Sequence, residues 1–111
     1  MKILSPEFTD KDNRRTLRQL FTSDIKQVNQ YEATRGAIMG DHFHKSTKEF
    51  FFVTKGTFSV QVDDASFVAT PGTMFRVDPF EKHTLEALTN KGSFMTFLSE
   101  SYDQKEPDVH K

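Results

Sequence analysis

The sequence lacks cysteine and tryptophan entirely, and its 111 residues include only 4 prolines and 5 glycines. Without cysteine the chain can form no disulfide, no thiolate metal site and no cysteine nucleophile. Any metal must therefore be bound through nitrogen and oxygen atoms. Stability must come from packing, and 12 phenylalanines offer the large apolar area that a core of this size needs.

The chain also lacks an excess of charge of either sign. It carries 15 basic and 16 acidic residues, for a net charge of −1, without a large block of one sign. Nucleic acids and anionic membranes are bound by clustered Lys and Arg, so we expect neither as a partner. No segment approaches the ~20 apolar residues of a membrane span, and no signal-peptide pattern opens the sequence. These features predict a cytoplasmic protein with a small-molecule partner.

The length predicts one domain over residues 1–111. Short β-compatible segments recur at intervals of about 8 to 12 residues with turn residues between them, which predicts about nine strands in a sandwich or small barrel. Residues 25–98 are expected to form the core. Asp10 to Phe21 fits one helical turn, and Leu17 to Phe21 fits an edge strand equally well. The polar tail 99–111 is expected to lie on the surface or fray.

The most informative segment contains two histidines, His42 and His44. Residues i and i+2 of a strand share a face, so the two imidazoles should lie side by side. Glu49 opens the next predicted strand, and His83 begins a later one. Nitrogen and oxygen ligands of this kind suit Zn²⁺, Fe²⁺, Mn²⁺ or Ni²⁺ better than Ca²⁺ or Mg²⁺. His42, His44, Glu49 and His83 are therefore candidate ligands for a divalent transition metal. The alternative is that these histidines are ordinary surface or core residues that hydrogen-bond to the backbone.

The spacing of these residues resembles the two motifs of the cupin family. In this sequence the motifs read Gly36 … His42-x-His44-x(4)-Glu49-x(6)-Gly56 and Pro71 … Pro79-x(3)-His83. The resemblance implies an all-β fold, the double-stranded β-helix or jelly roll that is also called the cupin barrel, and it matches all four metal positions. Phe80 stands where the family usually has glycine and Asp78 where it often has proline. We therefore expect the loop that carries His83 to differ in shape.

A narrower resemblance concerns the flanking segments, and it points to small cupins of nucleotide-sugar metabolism. These are the nucleotide-sugar 3,4-ketoisomerases and the C-terminal cupin of bifunctional capsular-polysaccharide enzymes, and the segments that resemble them are 12–17, 26–29, 35–36 and 102–109. The resemblance implies isomerisation or epimerisation of a keto nucleotide sugar through an enediolate. A proton is removed next to the ketone and returned elsewhere, with a metal acting as Lewis acid.

Candidate residues for this chemistry follow from the predicted strands. His42 and His44 titrate near neutrality and Tyr31 can donate a proton, so these three are the catalytic candidates. Polar or aromatic side chains near the predicted pocket, and arginines suited to a phosphate, are the substrate-binding candidates: Gln27, Asn29, Phe51, Arg35 and Arg76.

Two other functions use the same ligands and stay open. A metal-dependent dioxygenase would have a mostly apolar pocket, and a non-catalytic sugar-binding cupin would lack a basic anchor at the pocket. We also expect a homodimer, because the predicted edge strands between Leu17 and Tyr31 offer a pairing surface that a second copy would cover.

Overall fold

The computed structural model describes all residues, 1–111, and it contains eleven β-strands and no α-helix. The strands are β1 (Lys2–Leu4), β2 (Phe8–Lys11), β3 (Thr16–Gln19), β4 (Gln27–Ala33), β5 (Ile38–His42), β6 (Glu49–Lys55), β7 (Phe58–Val62), β8 (Ala65–Ala69), β9 (Met74–Val77), β10 (His83–Ala87) and β11 (Gly92–Leu98). The chain has no helix long and apolar enough to cross a membrane.

The strands form two larger sheets and one hairpin. A five-stranded sheet has the order β1-β9-β6-β11-β4, a four-stranded sheet has the order β5-β10-β7-β8, and β2 pairs only with β3. All pairs are antiparallel. The two larger sheets pack face to face, as the composition of the core shows. This arrangement confirms the predicted all-β jelly roll.

The core lies between the two larger sheets. On β7 the side chains of Phe58, Val60 and Val62 are buried and those between them are not, which is the period-two pattern seen in the sequence. The ring of Phe58 meets Phe94 edge to face, with ring centroids 5.1 Å apart. The core cluster draws on both sheets and comprises Phe51, Val53, Phe58, Val60, Val62, Ala69, Phe75, Val77, Leu85, Ala87 and Phe94.

A second apolar layer covers part of the outer face of the five-stranded sheet. Phe50 points away from the core, yet only 5% of it is exposed. Phe21, in the connection from β3 to β4, stacks on Phe50 at 4.2 Å and meets Phe97 edge to face at 5.3 Å. This contact explains how an unbroken run of apolar residues at the start of β6 is buried on both faces of the sheet.

The N-terminal region differs most from the prediction. Asp10 to Phe21 contains no helical turn. The alternative of an edge strand at Leu17 to Phe21 is closer to the structure, where Thr16–Gln19 forms a hairpin with Phe8–Lys11. Every residue in both strands of the hairpin is exposed, including Phe8 and Leu17. Local sequence did not indicate the partner strand Phe8–Lys11, because the strands of this hairpin have no buried face and hence no apolar alternation.

Candidate metal centre

Three of the four predicted ligands lie at the ends of strands that meet at one end of the barrel. His42 is the last residue of β5, Glu49 is the first of β6, and His83 is the first of β10. His42 and His83 are paired directly across β5 and β10. With His44 they form a cluster whose ligand atoms all lie within 4.8 Å of one another.

A β-bulge aligns His42 with His83. Gly40 and Asp41 both have positive φ, 89° and 59°, and the register between β5 and β10 shifts beside them. A Cβ atom at residue 40 would lie 2.7 Å from the carbonyl oxygen of His83, so only glycine fits there. The extra residue places His42 and Met39, rather than His42 and Gly40, opposite the inward-facing residues of β10.

His44 reaches the cluster from a loop rather than from the strand on which it was predicted. β5 ends at His42, and a single bridge between Phe43 and His110 follows it. The rings of His42 and His44 nevertheless lie together, with centroids 4.9 Å apart. The predicted proximity of the two imidazoles is confirmed, but a contact with the C-terminal tail supports it, not strand geometry.

The hydrogen bonds of two histidines fix which ring nitrogen faces the cluster. Nδ1 of His83 lies 3.0 Å from the carbonyl oxygen of Glu81, and Nδ1 of His44 lies 2.5 Å from that of Asp108. A carbonyl oxygen can only accept, so both Nδ1 atoms carry a proton and donate it. In the neutral rings both Nε2 atoms therefore present a lone pair to the cluster.

These lone pairs face a carboxylate. Nε2 of His44 lies 3.0 Å and Nε2 of His83 lies 3.4 Å from Oε1 of Glu49, and the His83 atom is buried without a hydrogen-bond partner. Lone pairs and a carboxylate oxygen repel one another unless a proton or a metal cation lies between them. The orphaned nitrogen of His83 and the anionic oxygen of Glu49 therefore fit a divalent cation.

The pKa values of the cluster describe the same electrostatics. Burial alone would raise the pKa of Glu49, but the neighbouring His44 and His83 outweigh it and lower that pKa to about 2. Burial, together with the neighbouring His83 and His44, lowers the pKa of His42 to about 4. Burial opposes the charge on His44 too, but contacts with Glu49 and Asp108 raise its pKa. At neutral pH the cluster thus combines a carboxylate with a neutral His42.

A cavity of about 190 Å³ opens beside the cluster. Three of the predicted substrate-binding or catalytic residues, Gln27, Asn29 and Tyr31, line it from the inner face of β4. Tyr31 and Phe51 also line a smaller inner cavity of about 30 Å³, next to His83. The residues around the larger cavity are Gln27, Asn29, Tyr31, His42, His44, Thr47, Glu49, Leu98, Glu100, Ser101, Tyr102, Asp108 and Val109.

Stacking of its ring holds Tyr31 beside the cavity. It stacks on Phe94 with centroids 4.7 Å apart. Burial, and secondarily the negative charge of Glu49, raise the pKa of its hydroxyl. The hydroxyl is therefore protonated at neutral pH and can donate to a ligand in the cavity.

The structure does not bring Arg35 or Arg76 to this cavity. Arg35 follows the far end of β4, seven residues of strand away from the mouth, and its Nε donates to Oδ1 of Asn90 at 3.0 Å. Arg76 pairs across the sheet with Phe50, which points outward, and its guanidinium binds Asp78 at 2.7 Å. Neither position was evident beforehand, because sequence alone did not say which end or face of the barrel would be open.

The tail supplies the residues that sequence reasoning missed. Instead of fraying, Glu100, Ser101, Tyr102, Asp108 and Val109 line the cavity, and the amide of Tyr102 donates to Gln27 at 2.7 Å. His110, which lies outside both cupin motifs, pairs through its backbone with Phe43. The only signal was the resemblance of segment 102–109 to small cupins, because a polar tail without alternation gives no evidence of docking.

The fold and the cluster together place the chain in a class of protein, the small jelly-roll barrels with three histidines and one glutamate at the open end. The family model described as "Cupin domain" matches residues 31–98, which is more than half of the chain. The chain therefore belongs to this family. The match contains all four cluster residues. No curated protein matches the chain.

Solved structures with the same fold include two 3,4-ketoisomerases and a capsular polysaccharide assembling protein. A 3,4-ketoisomerase from Helicobacter canadensis superposes with a TM-score of 0.80 at 18% identity, covering 95% of this chain and 86% of that one. A mutant of the 3,4-ketoisomerase QdtA from Thermoanaerobacterium thermosaccharolyticum was solved in complex with TDP-4-keto-6-deoxyglucose. It superposes with a TM-score of 0.73 at 16% identity, covering 95% of this chain and 83% of that one.

The capsular polysaccharide assembling protein CapF from Staphylococcus aureus gives a TM-score of 0.73 at 18% identity, covering 93% of this chain. This chain spans about a third of CapF, 33% of its length. At these identities the three likenesses establish the fold.

Proposed function

We propose that this protein is a metal-binding cupin that isomerises or epimerises a keto sugar, presented as a nucleotide sugar, by moving a proton next to the ketone. The observation that carries the proposal is the pair of histidine lone pairs aimed at Glu49, at the mouth of a cavity with polar walls. The activities named for proteins of the same fold support the same reaction class.

A divalent transition metal, Zn²⁺, Fe²⁺, Mn²⁺ or Ni²⁺, bound by His42, His44, Glu49 and His83 would supply Lewis-acid polarisation of the ketone. Gln27 and Asn29, joined by a 3.1 Å hydrogen bond, present amide groups that suit sugar hydroxyls. The Tyr31 hydroxyl is the candidate proton donor. In the metal-free chain His42, neutral at physiological pH, is the candidate base, whereas Nδ1 of His44 donates to the carbonyl of Asp108 and its Nε2 is directed at Glu49.

The test has two parts, and the first concerns the metal. Elemental analysis of protein purified without chelator should find a transition metal, and stripping it should lower the melting temperature. Protein that contains no transition metal and melts at the same temperature after chelation contradicts the metal assignment.

The second part concerns the reaction. With TDP-4-keto-6-deoxyglucose in D₂O, the sugar should gain deuterium next to the ketone, as measured by mass spectrometry. Tyr31→Phe keeps the ring that stacks on Phe94 and removes only the hydroxyl, so it should retain the metal and slow the exchange. Absence of both exchange and ligand-induced stabilisation contradicts the proposed reaction.

One observation favours a second function, the non-catalytic binding of a sugar. No Lys or Arg is among the residues that line the cavity, whose volume of about 190 Å³ lies below the range of roughly 300 to 1,000 Å³ typical of ligand pockets. Stabilisation by a free monosaccharide, without deuterium exchange in a keto sugar, would favour this function. The polar lining gives the dioxygenase alternative no comparable support.

We also propose that the protein is a homodimer. The hairpin of β2 and β3 pairs with no other strand, exposes Phe8 and Leu17, and leaves β4 as a free edge of the five-stranded sheet. A second copy could cover these surfaces. Sedimentation at micromolar concentration should give twice the 12.8 kDa chain mass, and a monomer contradicts the proposal.

A further inference from the structure

The carboxylate of Asp108 occupies a concave site made by consecutive backbone amides. Its Oδ1 accepts the amide proton of Lys45 at 2.7 Å, and its Oδ2 accepts those of Ser46 at 2.9 Å and Thr47 at 3.0 Å. The Thr47 hydroxyl donates to Oδ2 at 2.8 Å. Four donors converge on one carboxylate from a segment some sixty residues away, and such charge-assisted bonds are the stronger kind.

The segment held in this way directly follows His44. The same Asp108 accepts the Nδ1 proton of His44 through its backbone carbonyl, which directs Nε2 toward Glu49. The backbone of His44 is held from the other side, where its carbonyl accepts the amide proton of Phe80 at 2.6 Å. His44 lies outside any strand, so these contacts do for it what strand pairing does for His42 and His83.

The tail is fixed in register by a short backbone bridge. The amide of Phe43 donates to the carbonyl of His110 at 2.8 Å, and the amide of His110 donates back to Phe43 at 2.9 Å. The two rings also pack, with centroids 5.4 Å apart. This bridge holds the Asp108 carbonyl beside His44, because His44 directly follows Phe43 and Asp108 lies two residues before His110.

We infer that residues 108–110 form a C-terminal clamp in which Asp108 is a positioning residue for the metal centre. Its carboxylate fixes the 45–47 loop and its carbonyl fixes the tautomer and direction of His44. The inference rests on the proposed metal site for its affinity readout, but not for its tautomer readout. Hydrogen-bonded partners of a metal-binding histidine commonly change metal affinity by about 10- to 100-fold when they are removed.

The experiment compares Asp108→Ala with Asp103→Ala. Asp103 is a matched control, since it lies in the same tail and its carboxylate accepts only the amide of Lys105, at 2.9 Å. Zinc affinity of the stripped proteins, measured by competition with a chromophoric chelator, should fall by about 10- to 100-fold for Asp108→Ala and stay unchanged for Asp103→Ala. Asp108→Asn, which keeps one carbonyl oxygen to accept, should lie between them.

A spectroscopic readout separates positioning from a general loss of structure. In the metal-free wild type, ¹⁵N NMR should show His44 with its proton on Nδ1, and Asp108→Ala should give a mixture of tautomers in a chain whose β-sheet circular dichroism is unchanged. If Asp108→Ala does not fold, Asp108→Asn takes its place in both measurements. Retention of the Nδ1 tautomer together with wild-type zinc affinity would overturn the clamp. A wild type that binds no zinc would count against the metal site alone, and the tautomer would then decide the clamp.

Discussion

The interior of the barrel has two ends that are built from the same strands and differ in chemistry. β6 begins with Glu49 at the open end and continues inward to Val53, and β10 begins with His83 and continues to Ala87. All four side chains are buried. At the far end Val53 and Ala87 belong to the apolar core cluster, whereas at the open end a carboxylate faces two imidazoles.

Alternation decides which side chains enter the barrel, and position along the strand decides what they do there. Burying a carboxylate and imidazoles without a cation costs stability. The apolar end offsets this cost by burying hydrocarbon. If the two ends are separable, substitutions at the apolar end should change the free energy of unfolding and leave metal binding unchanged. Substitutions at the open end should change metal binding and leave the packing of the apolar end intact.

The largest effect should come from the apolar end. Phe58 is fully buried against Phe94, so Phe58→Ala should reduce the free energy of unfolding by about 3 to 5 kcal/mol, through lost burial and the cavity left behind. Urea denaturation measures this value. Val68→Ala on the exposed side of β8 is the control, with an expected change below about 0.5 kcal/mol. Zinc bound per folded chain should stay the same in both variants, and its loss in Phe58→Ala would mean that the ends are coupled.

At the open end, His83→Ala should abolish stabilisation by the metal. A metal at 100 times its dissociation constant stabilises a folded chain by about 2.7 kcal/mol, and the variant should gain none of this. Melting with and without added zinc measures the difference. Thr84→Ala, the next residue on β10, is the matched control and should respond as the wild type does. An unchanged zinc response in His83→Ala would remove His83 from the metal centre.

The sequence was sufficient for the parts of this comparison that depend on short-range pattern. Alternation in Phe58 to Val62 predicted a half-buried strand, and the spacing of His42, His44 and Glu49 predicted that their side chains would meet. The sequence was insufficient where contacts between distant segments determine the position of a side chain. The docking of Asp108 on the 45–47 loop and the outward direction of Arg76 follow from which strands pair, and no local pattern encodes that. Whether the cluster binds a metal stays a prediction.

Acid should distinguish the two ends in the metal-free chain. The pKa of His42 is about 4 in the folded chain against an ordinary value of 6.5, so between these pH values the unfolded chain binds a proton that the folded chain does not. The free energy of unfolding should therefore fall as the pH falls from 6.5 to 4. His42→Gln should flatten this decline in a urea series, whereas Phe58→Ala should lower the whole curve and keep its slope.

Two other groups in the cluster set the limits of that measurement. Glu49, with its pKa lowered from 4.5 to about 2, contributes stability that is present above pH 4.5 and lost as the pH falls below it, outside most of the His42 window. The raised pKa of His44 has the opposite sign, since its contribution is present below pH 6.5 and is lost as the pH rises through its folded value. Equal slopes for wild type and His42→Gln between pH 6.5 and 4 would contradict the assignment to His42.

The smallest effect should come from Arg35, which the sequence suggested as an anchor for a substrate phosphate. It lies beyond the far end of β4 and hydrogen-bonds to Asn90, so Arg35→Ala should change the free energy of unfolding by no more than about 0.5 kcal/mol. Calorimetric affinity for TDP-4-keto-6-deoxyglucose should also stay the same, with Tyr31→Phe as the variant at the open end that should weaken it. A loss of affinity in Arg35→Ala would mean that the ligand reaches both ends of the barrel, and the division between them would fail.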